Sequence, residues 1–216
     1  MATLGSDNIE VILPDGVSED AVDVTTGEDG NNIVVIKQNV EGLEITATGD
    51  NTGVTGKRVE TSTVSATPEK GESSNVVVET TVFKDNTIAN EGKGSLAVNV
   101  NTGKFKKSII DAGDKKRDDL VRFKDNVTVN KATMALGKGD DTVRFGKGVT
   151  FKGKTTIDLG KGGADSVIVE ANAVEGGKLS ITNFTRKDTI TVGDETFTYK
   201  DIKNGAEIPN VKIELV

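Results

Sequence analysis

Two nearly identical hexapeptides decide the fold of this chain: DDLVRF at residues 118–123 and DDTVRF at residues 140–145. Related segments follow, DSVIV at residues 165–169 and DTITV at residues 188–192. Equivalent positions in successive copies lie 22 to 24 residues apart. Within each copy apolar residues alternate with polar ones, which is typical of a short strand with one buried face. The chain therefore repeats a strand-based unit.

A unit of this length cannot bury the apolar side of its strands alone, but stacked copies can, with each strand paired to its equivalent about 4.8 Å above and below. The repeat therefore predicts an all-β protein, a parallel β-helix (β-solenoid) with coils of about 22–24 residues and atypical caps. Short strands at such a spacing also describe a β-sandwich, but the position-specific recurrence of inward residues favours the solenoid. Three interior columns are predicted: Val121, Val143, Val167 and Ile190; Phe123, Phe145, Val169 and Val192; and Ile110, Met134, Ile157 and Ile181.

The repeat also suggests a division of the chain. Residues 1–21 are expected to form an N-terminal strand, cap or partner-contact segment, and residues 22–192 the solenoid. Within it, residues 86–192 are the most regular, whereas residues 46–75, rich in Thr, Gly, Ser and Glu, suggest irregular coil or an inserted loop. Residues 193–216 are expected to cap the open C-terminal end, because exposed strand edges invite aggregation.

The composition agrees with an all-β fold and excludes several chemistries. Val, Thr and Ile supply 68 of the 216 residues, against 9 Leu, and β-branched residues suit a pleated sheet better than a helix. The absence of Cys and His removes disulfides, thiol nucleophiles, imidazole catalysis and Cys/His zinc sites. The start of the chain lacks the pattern of a secretory signal, and no apolar stretch is long enough to span a bilayer.

Charge is distributed unevenly along the chain. Residues 1–105 carry 17 acidic and 7 basic side chains, a net charge of −10, while residues 106–216 carry 17 acidic and 20 basic, a net charge of +3. This asymmetry is compatible with simple solubility, or with a basic half that faces an acidic neighbour or the acidic half of another copy. The basic residues come with almost no aromatic residues, so we expect no nucleic-acid partner.

The Gly/Asp turns at GKGDDTV, residues 137–143, and GKGGADSV, residues 160–167, resemble the haemolysin-type (RTX) repeat. Residues 181–190 also resemble the segment that closes such arrays in secreted proteins. In that family Asp carboxylates and Gly carbonyls of successive turns enclose Ca²⁺. The resemblance implies a ligand column of Asp119, Asp141, Asp165 and Asp188.

Stacked carboxylates about 5 Å apart repel each other unless they are neutralised. Calcium is one solution. The favoured alternative needs no metal and no other cofactor: hydrogen bonds from turn N–H groups, together with the nearby lysines Lys115, Lys116, Lys138, Lys161 and Lys187.

These features favour a non-enzymatic structural protein, and the setting expected is a virion, assembled in the host cytoplasm. It would be a head-decoration, knob, fibre or tail-associated component of a bacteriophage, similar only in style to known β-helical virion proteins. Its expected partners are other virion proteins or copies of itself, with no membrane. Two alternatives stay open: an RTX-like calcium-binding module of a secreted or surface-layer protein, and a polysaccharide-active β-helix enzyme using paired carboxylates. The near absence of Trp and Tyr counts against the enzyme, since sugars stack on such rings.

Overall fold

The chain folds as a parallel β-solenoid of about seven turns, with strands over 59% of its length and almost no helix. This is a computed structural model, and it describes residues 2–6, 8–26, 31–48, 51–170, 177–208 and 212–215. A 3₁₀ turn covers Glu19–Ala21, and one short helix, α1, covers Tyr199–Lys203. The strands are β1 (Ala2–Ser6), β2 (Ile9–Leu13), β3 (Val22–Thr26), β4 (Asn31–Ile36), β5 (Val40–Glu41), β6 (Glu44–Ala47), β7 (Asn51–Glu60), β8 (Thr63–Ala66), β9 (Ser73–Lys84), β10 (Thr87–Asn90), β11 (Ser95–Lys106), β12 (Ile109–Asp111), β13 (Leu120–Phe123), β14 (Thr128–Asn130), β15 (Thr133–Ala135), β16 (Thr142–Phe145), β17 (Thr150–Asp158), β18 (Ser166–Val169), β19 (Gly177–Thr182), β20 (Thr189–Val192), β21 (Glu195–Thr198) and β22 (Lys212–Leu215).

The parallel strands stack in three ladders. Ladder 1 runs through β4, the first parts of β7, β9 and β11, and then β13, β16, β18 and β20. Ladder 2 contains β5, the last residues of β7, β9 and β11, then β14 and the start of β17. Ladder 3 contains β6, β8, β10, β12, β15, the end of β17, β19 and β22. Each coil thus contributes three short strands separated by corners.

The register of the ladders brings equivalent apolar residues into vertical columns. In ladder 1, Val121 pairs with Val143, Val143 with Val167, and Val167 with Ile190. In ladder 3, Ile110, Met134, Ile157 and Ile181 follow one another in the same way. All eight side chains are at most 1% exposed. The 22-to-24-residue period of the sequence is therefore the length of one coil, and a single continuous core runs along the axis.

A column of phenylalanine rings fills the centre of this core. The rings of Phe83, Phe105, Phe123, Phe145 and Phe151 succeed one another with centroid separations of 5.5, 5.3, 5.1 and 4.8 Å. Stacked pairs alternate with edge-to-face pairs, and both are favourable arrangements of aromatic quadrupoles. These rings supply the bulk that a core of Val, Ile and Ala lacks.

The corner between ladders 2 and 3 is made by residues in the left-handed conformation. Thr61, Asp85, Lys107 and Lys131 have φ of 49°, 55°, 49° and 54°, and Gly153 takes the next place with φ of 72°. In this corner Asp85 donates its backbone N–H to the Lys106 carbonyl at 2.9 Å. This backbone conformation is unfavourable for the four non-glycine residues. The pairing of the coils, rather than the preference of these residues, therefore stabilises the corner.

The two ends depart from the parallel stack. At the N-terminal end, β1 and β2 form an antiparallel pair, β2 runs antiparallel to β6, and β3 runs antiparallel to β4. At the C-terminal end, β21 turns back antiparallel to β20 and leads into α1, whereas β22 returns to ladder 3 as a parallel strand. Antiparallel strands and a helix thus flank the open ends.

Two expected boundaries need correction. Residues 46–75 were expected to be irregular, but β7 and β8 lie in full parallel register with their neighbours there, and the longest described stretch outside the strands is residues 67–72, between β8 and β9. Gly53, Thr55 and Thr63 occupy outward positions of these strands, whereas Thr52 is buried. The solenoid was expected to begin at residue 22, but parallel pairing starts with β4, since β3 forms an antiparallel hairpin with it. Residues 27–30, 49–50 and 171–176 of the predicted solenoid, with the end positions 1, 7, 209–211 and 216, lie outside the described residues.

Candidate functional site

The four aspartates implied by the RTX resemblance do form a column at the corner that precedes ladder 1. The side-chain Oδ1 atoms of Asp141, Asp165 and Asp188 each accept the backbone N–H of the aspartate one coil earlier, at 2.8, 2.8 and 2.9 Å. Asp119 begins the series by accepting the N–H of Leu96 at 2.6 Å. We call Asp119, Asp141, Asp165 and Asp188 the inner aspartates. They are at most 4% exposed.

The second carboxylate oxygens, Oδ2, have fewer hydrogen-bond partners than the Oδ1 atoms. The Oδ2 atoms of Asp119 and Asp141 are buried without a hydrogen-bond partner. Asp119 Oδ2 lies 3.9 Å from Nε of the buried Arg117, whose other guanidinium nitrogens donate to the carbonyls of Gly92, Gly94 and Ala112 at 2.6 to 2.9 Å. Arg117 therefore joins its own corner to the corner one coil earlier, beside the first inner aspartate. Its role could not be found from the sequence, because it is one cation within a run of charged residues.

Burial raises the pKa of three inner aspartates, Asp119, Asp141 and Asp165. It raises the pKa of Asp141 to about 7, with the neighbouring carboxylates of Asp119 and Asp165 adding to the effect. Burial also raises the pKa of Asp119 and of Asp165 to about 6, although the amide hydrogen bonds oppose the shift. A buried carboxylate prefers its neutral form when few groups solvate its charge. Asp119, Asp141 and Asp165 therefore exchange protons within about one pH unit of neutrality.

An outer row of carboxylates points the opposite way along the axis. Asp118 Oδ1 accepts the N–H of Asp140 at 2.8 Å, and Asp140 Oδ1 accepts the N–H of Ala164 at 2.9 Å. The lysines expected to neutralise the inner column, Lys115, Lys116, Lys138, Lys161 and Lys187, are exposed. Within the described part of the chain, no ion pair links them to the inner aspartates. Backbone amides, rather than lysine ammonium groups, are the hydrogen-bond partners of the Oδ1 atoms in the column.

The donor set is a poor match for calcium. Ca²⁺ takes six to eight oxygen ligands, commonly from several carboxylates around one point. Among the described residues, no group of three or more Asp, Glu, His or Cys side chains converges closely enough to hold a metal ion. The inner aspartates are instead spaced one per coil, and each already binds an amide through Oδ1.

Replacing Asp141 by Asn tests the protonation of this column. Because the pKa of Asp141 in the folded chain, about 7, lies above its unfolded value, its contribution to stability is complete below about pH 4 and is lost as the pH rises towards 7. Asp141→Asn keeps the oxygen acceptor and removes the ionisation. We expect the variant to match the wild type near pH 4 and to exceed its unfolding free energy at pH 8 by on the order of 1–3 kcal/mol. Urea unfolding at both pH values measures the difference.

The matched control is Asp140→Asn, the adjacent exposed aspartate with the same kind of amide contact. It makes the same exchange of carboxylate for amide and keeps the acceptor oxygen, but it removes no buried charge, so no gain at pH 8 is expected. A wild-type protein that is more stable than Asp141→Asn at pH 8 would contradict the proposed burial penalty.

A second polar network, at the corner between ladders 2 and 3, was missed from the sequence. Asn86 Oδ1 accepts the N–H of Ser62 at 2.7 Å, Ser108 Oγ accepts the N–H of Asn86 at 3.2 Å, and Ser62 Oγ accepts the N–H of Leu43 at 3.1 Å. All three polar residues are at most 2% exposed. They accept backbone N–H groups at this corner, as the inner aspartates do at the corner before ladder 1, but their side chains are uncharged. Their spacing of 24 and 22 residues was the available signal.

A surface groove of about 730 Å³ runs beside the outward arginines of ladder 1. Its two carboxylates are both engaged: Glu170 is ion-paired with Arg144, and Asp125 Oδ1 accepts the N–H of Lys147 at 2.9 Å. A glycosidase needs one carboxylic acid and one carboxylate free to reach the same sugar. This groove does not offer that pair.

Comparisons with known proteins gave no relatives. No protein-family model, no curated protein and no solved structure matches this chain, so none supports the RTX resemblance or a link to bacteriophage proteins. A search of the described residues for a helix long and apolar enough to cross a membrane found none.

Proposed function

We propose that this protein is a non-enzymatic structural component that acts through contacts along and at the ends of its solenoid. The observation that carries the proposal is the continuous stack of about seven coils, in which the inward residues are devoted to packing. At about 4.8 Å per coil the stack extends roughly 30 Å or more. Solenoids of this kind commonly present extended surfaces rather than enclosed pockets.

The setting we propose is a virus particle, with the chain as a head-decoration, knob, fibre or tail-associated protein of a bacteriophage. Two features support this choice. The absence of Cys makes the fold independent of the redox state of the compartment in which it assembles. The repeated coil also produces regularly spaced outward side chains, a pattern suited to contact with other copies or with other particle proteins.

Isolation of particles from the organism that encodes the chain tests this setting. We expect the protein to sediment with the particles and to form chemical cross-links with particle proteins or with itself, identified by mass spectrometry. Recovery only as a free chain, or enrichment in the culture medium without particles, would overturn the virion setting.

A calcium titration separates the proposal from the calcium-binding alternative. Since each inner aspartate already binds an amide, we expect millimolar Ca²⁺ to leave the melting temperature unchanged, whereas binding to the folded state alone would raise it. A rise in melting temperature that is lost in the Asp141→Asn variant would support the RTX-like alternative and contradict our expectation. Magnesium at the same ionic strength is the control.

A further inference from the structure

The structure presents a dense cluster of lysines on one face of the solenoid, along ladder 2 and the turns on either side of it. These residues lie on three consecutive coils, about 10 Å in extent along the axis. Six of them are exposed and Lys106 is half-buried. We call them the lysine face: Lys104, Lys106, Lys107, Lys131, Lys147, Lys152 and Lys154.

The ladder register explains why these lysines gather. Lys104 and Lys106 lie at the end of β11, paired with Thr128 and Asn130 of the next coil. Asn130 is in turn paired with Lys152. Lys107 and Lys131 occupy successive corner positions, and Lys147 precedes the next strand of the ladder.

The charge of the lysine face is not neutralised within the chain. Among the described residues, none of these seven lysines forms an ion pair. Asp125, the carboxylate beside Lys147, directs Oδ1 to the backbone N–H of Lys147 at 2.9 Å. A patch of like charge held on a rigid sheet produces a local positive potential, although the whole chain carries a net charge of −7.

The chemistry of the face favours a carboxylate-rich partner held by charge. Lysine is a point charge on a flexible stem, without the planar fork by which arginine recognises phosphate in two contacts. The aromatic side chains that lie between these lysines, Phe105 and Phe151, are at most 1% exposed, so they offer no platform on which bases or sugars stack.

The N-terminal cap of the chain has the complementary charge. No Lys or Arg precedes Lys37, whereas residues 1–36 contain eight Asp or Glu. Glu10, Glu19 and Asp20 are exposed, and among the described residues they form no ion pair. Glu10 lies on β2, while Glu19 and Asp20 lie on the 3₁₀ turn.

We propose that the lysine face binds the acidic N-terminal cap of a second copy of this chain. The inference rests on the proposed assembly function and names the surface and the partner. Because the two surfaces are different, the contact is heterologous. In a pair of copies, one copy still has a free lysine face and the other a free cap. Further copies can therefore add, to form a ring or an open array. Charge attraction makes the association sensitive to salt.

Two variants, each with the charge of three side chains reversed, test the contact. The face variant carries Lys104→Glu, Lys152→Glu and Lys154→Glu, and the cap variant carries Glu10→Lys, Glu19→Lys and Asp20→Lys. A control, Lys70→Glu with Lys93→Glu and Lys200→Glu, makes the same change in net charge at exposed lysines away from the face. Circular dichroism and cooperative melting first establish that each variant is folded.

Sedimentation velocity is then measured in about 0.05 M and about 0.5 M NaCl, which span strong and weak screening. We expect the wild type and the control to associate at low salt, at least tenfold more weakly at high salt. Neither the face variant nor the cap variant is expected to associate alone, but an equimolar mixture of the two should, because the unaltered lysine face of the cap variant can bind the unaltered acidic cap of the face variant.

Three results would overturn the inference: a monomeric wild type at low salt, association that persists in the face variant, or a mixture that does not associate. Persistent association through another surface leaves the proposed assembly function standing, while the particle experiment tests that function independently. A wild type that stays monomeric but binds polyphosphate or nucleic acid through these lysines would make the face a polyanion site and overturn the self-contact.

Discussion

Replacing Gly160 by Ala is expected to abolish folding or to lower the unfolding free energy by more than about 4 kcal/mol. Gly160 has φ of 77°, and a Cβ placed there would lie 1.6 Å from the carbonyl oxygen of Gly137 and 2.5 Å from its carbonyl carbon. That same oxygen accepts the N–H of Lys161 at 2.9 Å. A methyl group therefore forces two coils apart at a hydrogen-bonded corner, in addition to the strain of a left-handed L-residue.

Gly162 provides the matched control for this substitution. It lies in the same turn with a similar φ of 82°, but a Cβ there meets no atom within 4 Å. Gly162→Ala should therefore cost only the backbone strain, about 1–2 kcal/mol. Urea unfolding of both variants measures the difference. Equal effects at the two positions would show that close packing of the coils does not govern this corner.

Truncation of Phe123 to Ala is expected to cost about 3–5 kcal/mol of unfolding free energy. The side chain is fully buried, and its ring lies 5.3 Å from that of Phe105 and 5.1 Å from that of Phe145. Removing it leaves a cavity in the middle of the aromatic column. The surrounding side chains belong to paired strands on both sides, so the backbone has little freedom to close the gap.

The conservative variant Phe123→Leu separates cavity formation from loss of the aromatic contacts. It retains most of the volume and should cost markedly less, about 1–2 kcal/mol. Both variants are compared with the wild type by urea unfolding, with the slope of the transition checked for constancy. A loss below about 1 kcal/mol for Phe123→Ala would mean that this region of the core is loosely packed.

The period of the sequence was sufficient to predict the solenoid. Alternation of apolar and polar residues located the strands, and the recurrence of Val121, Val143 and Val167 identified equivalent positions in successive coils. Each coil contacts chiefly its neighbours, so local repetition and tertiary pairing carry the same information. This agreement is the reason that a single sequence was sufficient to predict the fold.

The features that the sequence did not reveal depend on corners rather than strands. Thr61 and Lys131 adopt positive φ without being glycines, so no residue type marked their corner. The regular strand β7 was mistaken for coil because Thr and Gly also mark turns. The inner aspartates stack in one column, as the RTX resemblance implied. Their spacing did not predict their hydrogen-bond partners, because these depend on the direction in which each side chain points.

The hydrogen bonds of the inner aspartates also affect the order in which the coils are completed during synthesis. The backbone amides of Asp119, Asp141 and Asp165 each donate to a carboxylate of the following coil, as when Asp165 Oδ1 accepts the N–H of Asp141. A nascent chain emerges N-terminal end first. The corner amide of each such coil therefore gains its carboxylate acceptor only after the next coil has been synthesised. Asp188 ends this dependence, because its own N–H donates to the carbonyl of Thr185 within the same turn at 3.3 Å. A chain truncated within the repeats therefore lacks the acceptor for the last of these amides.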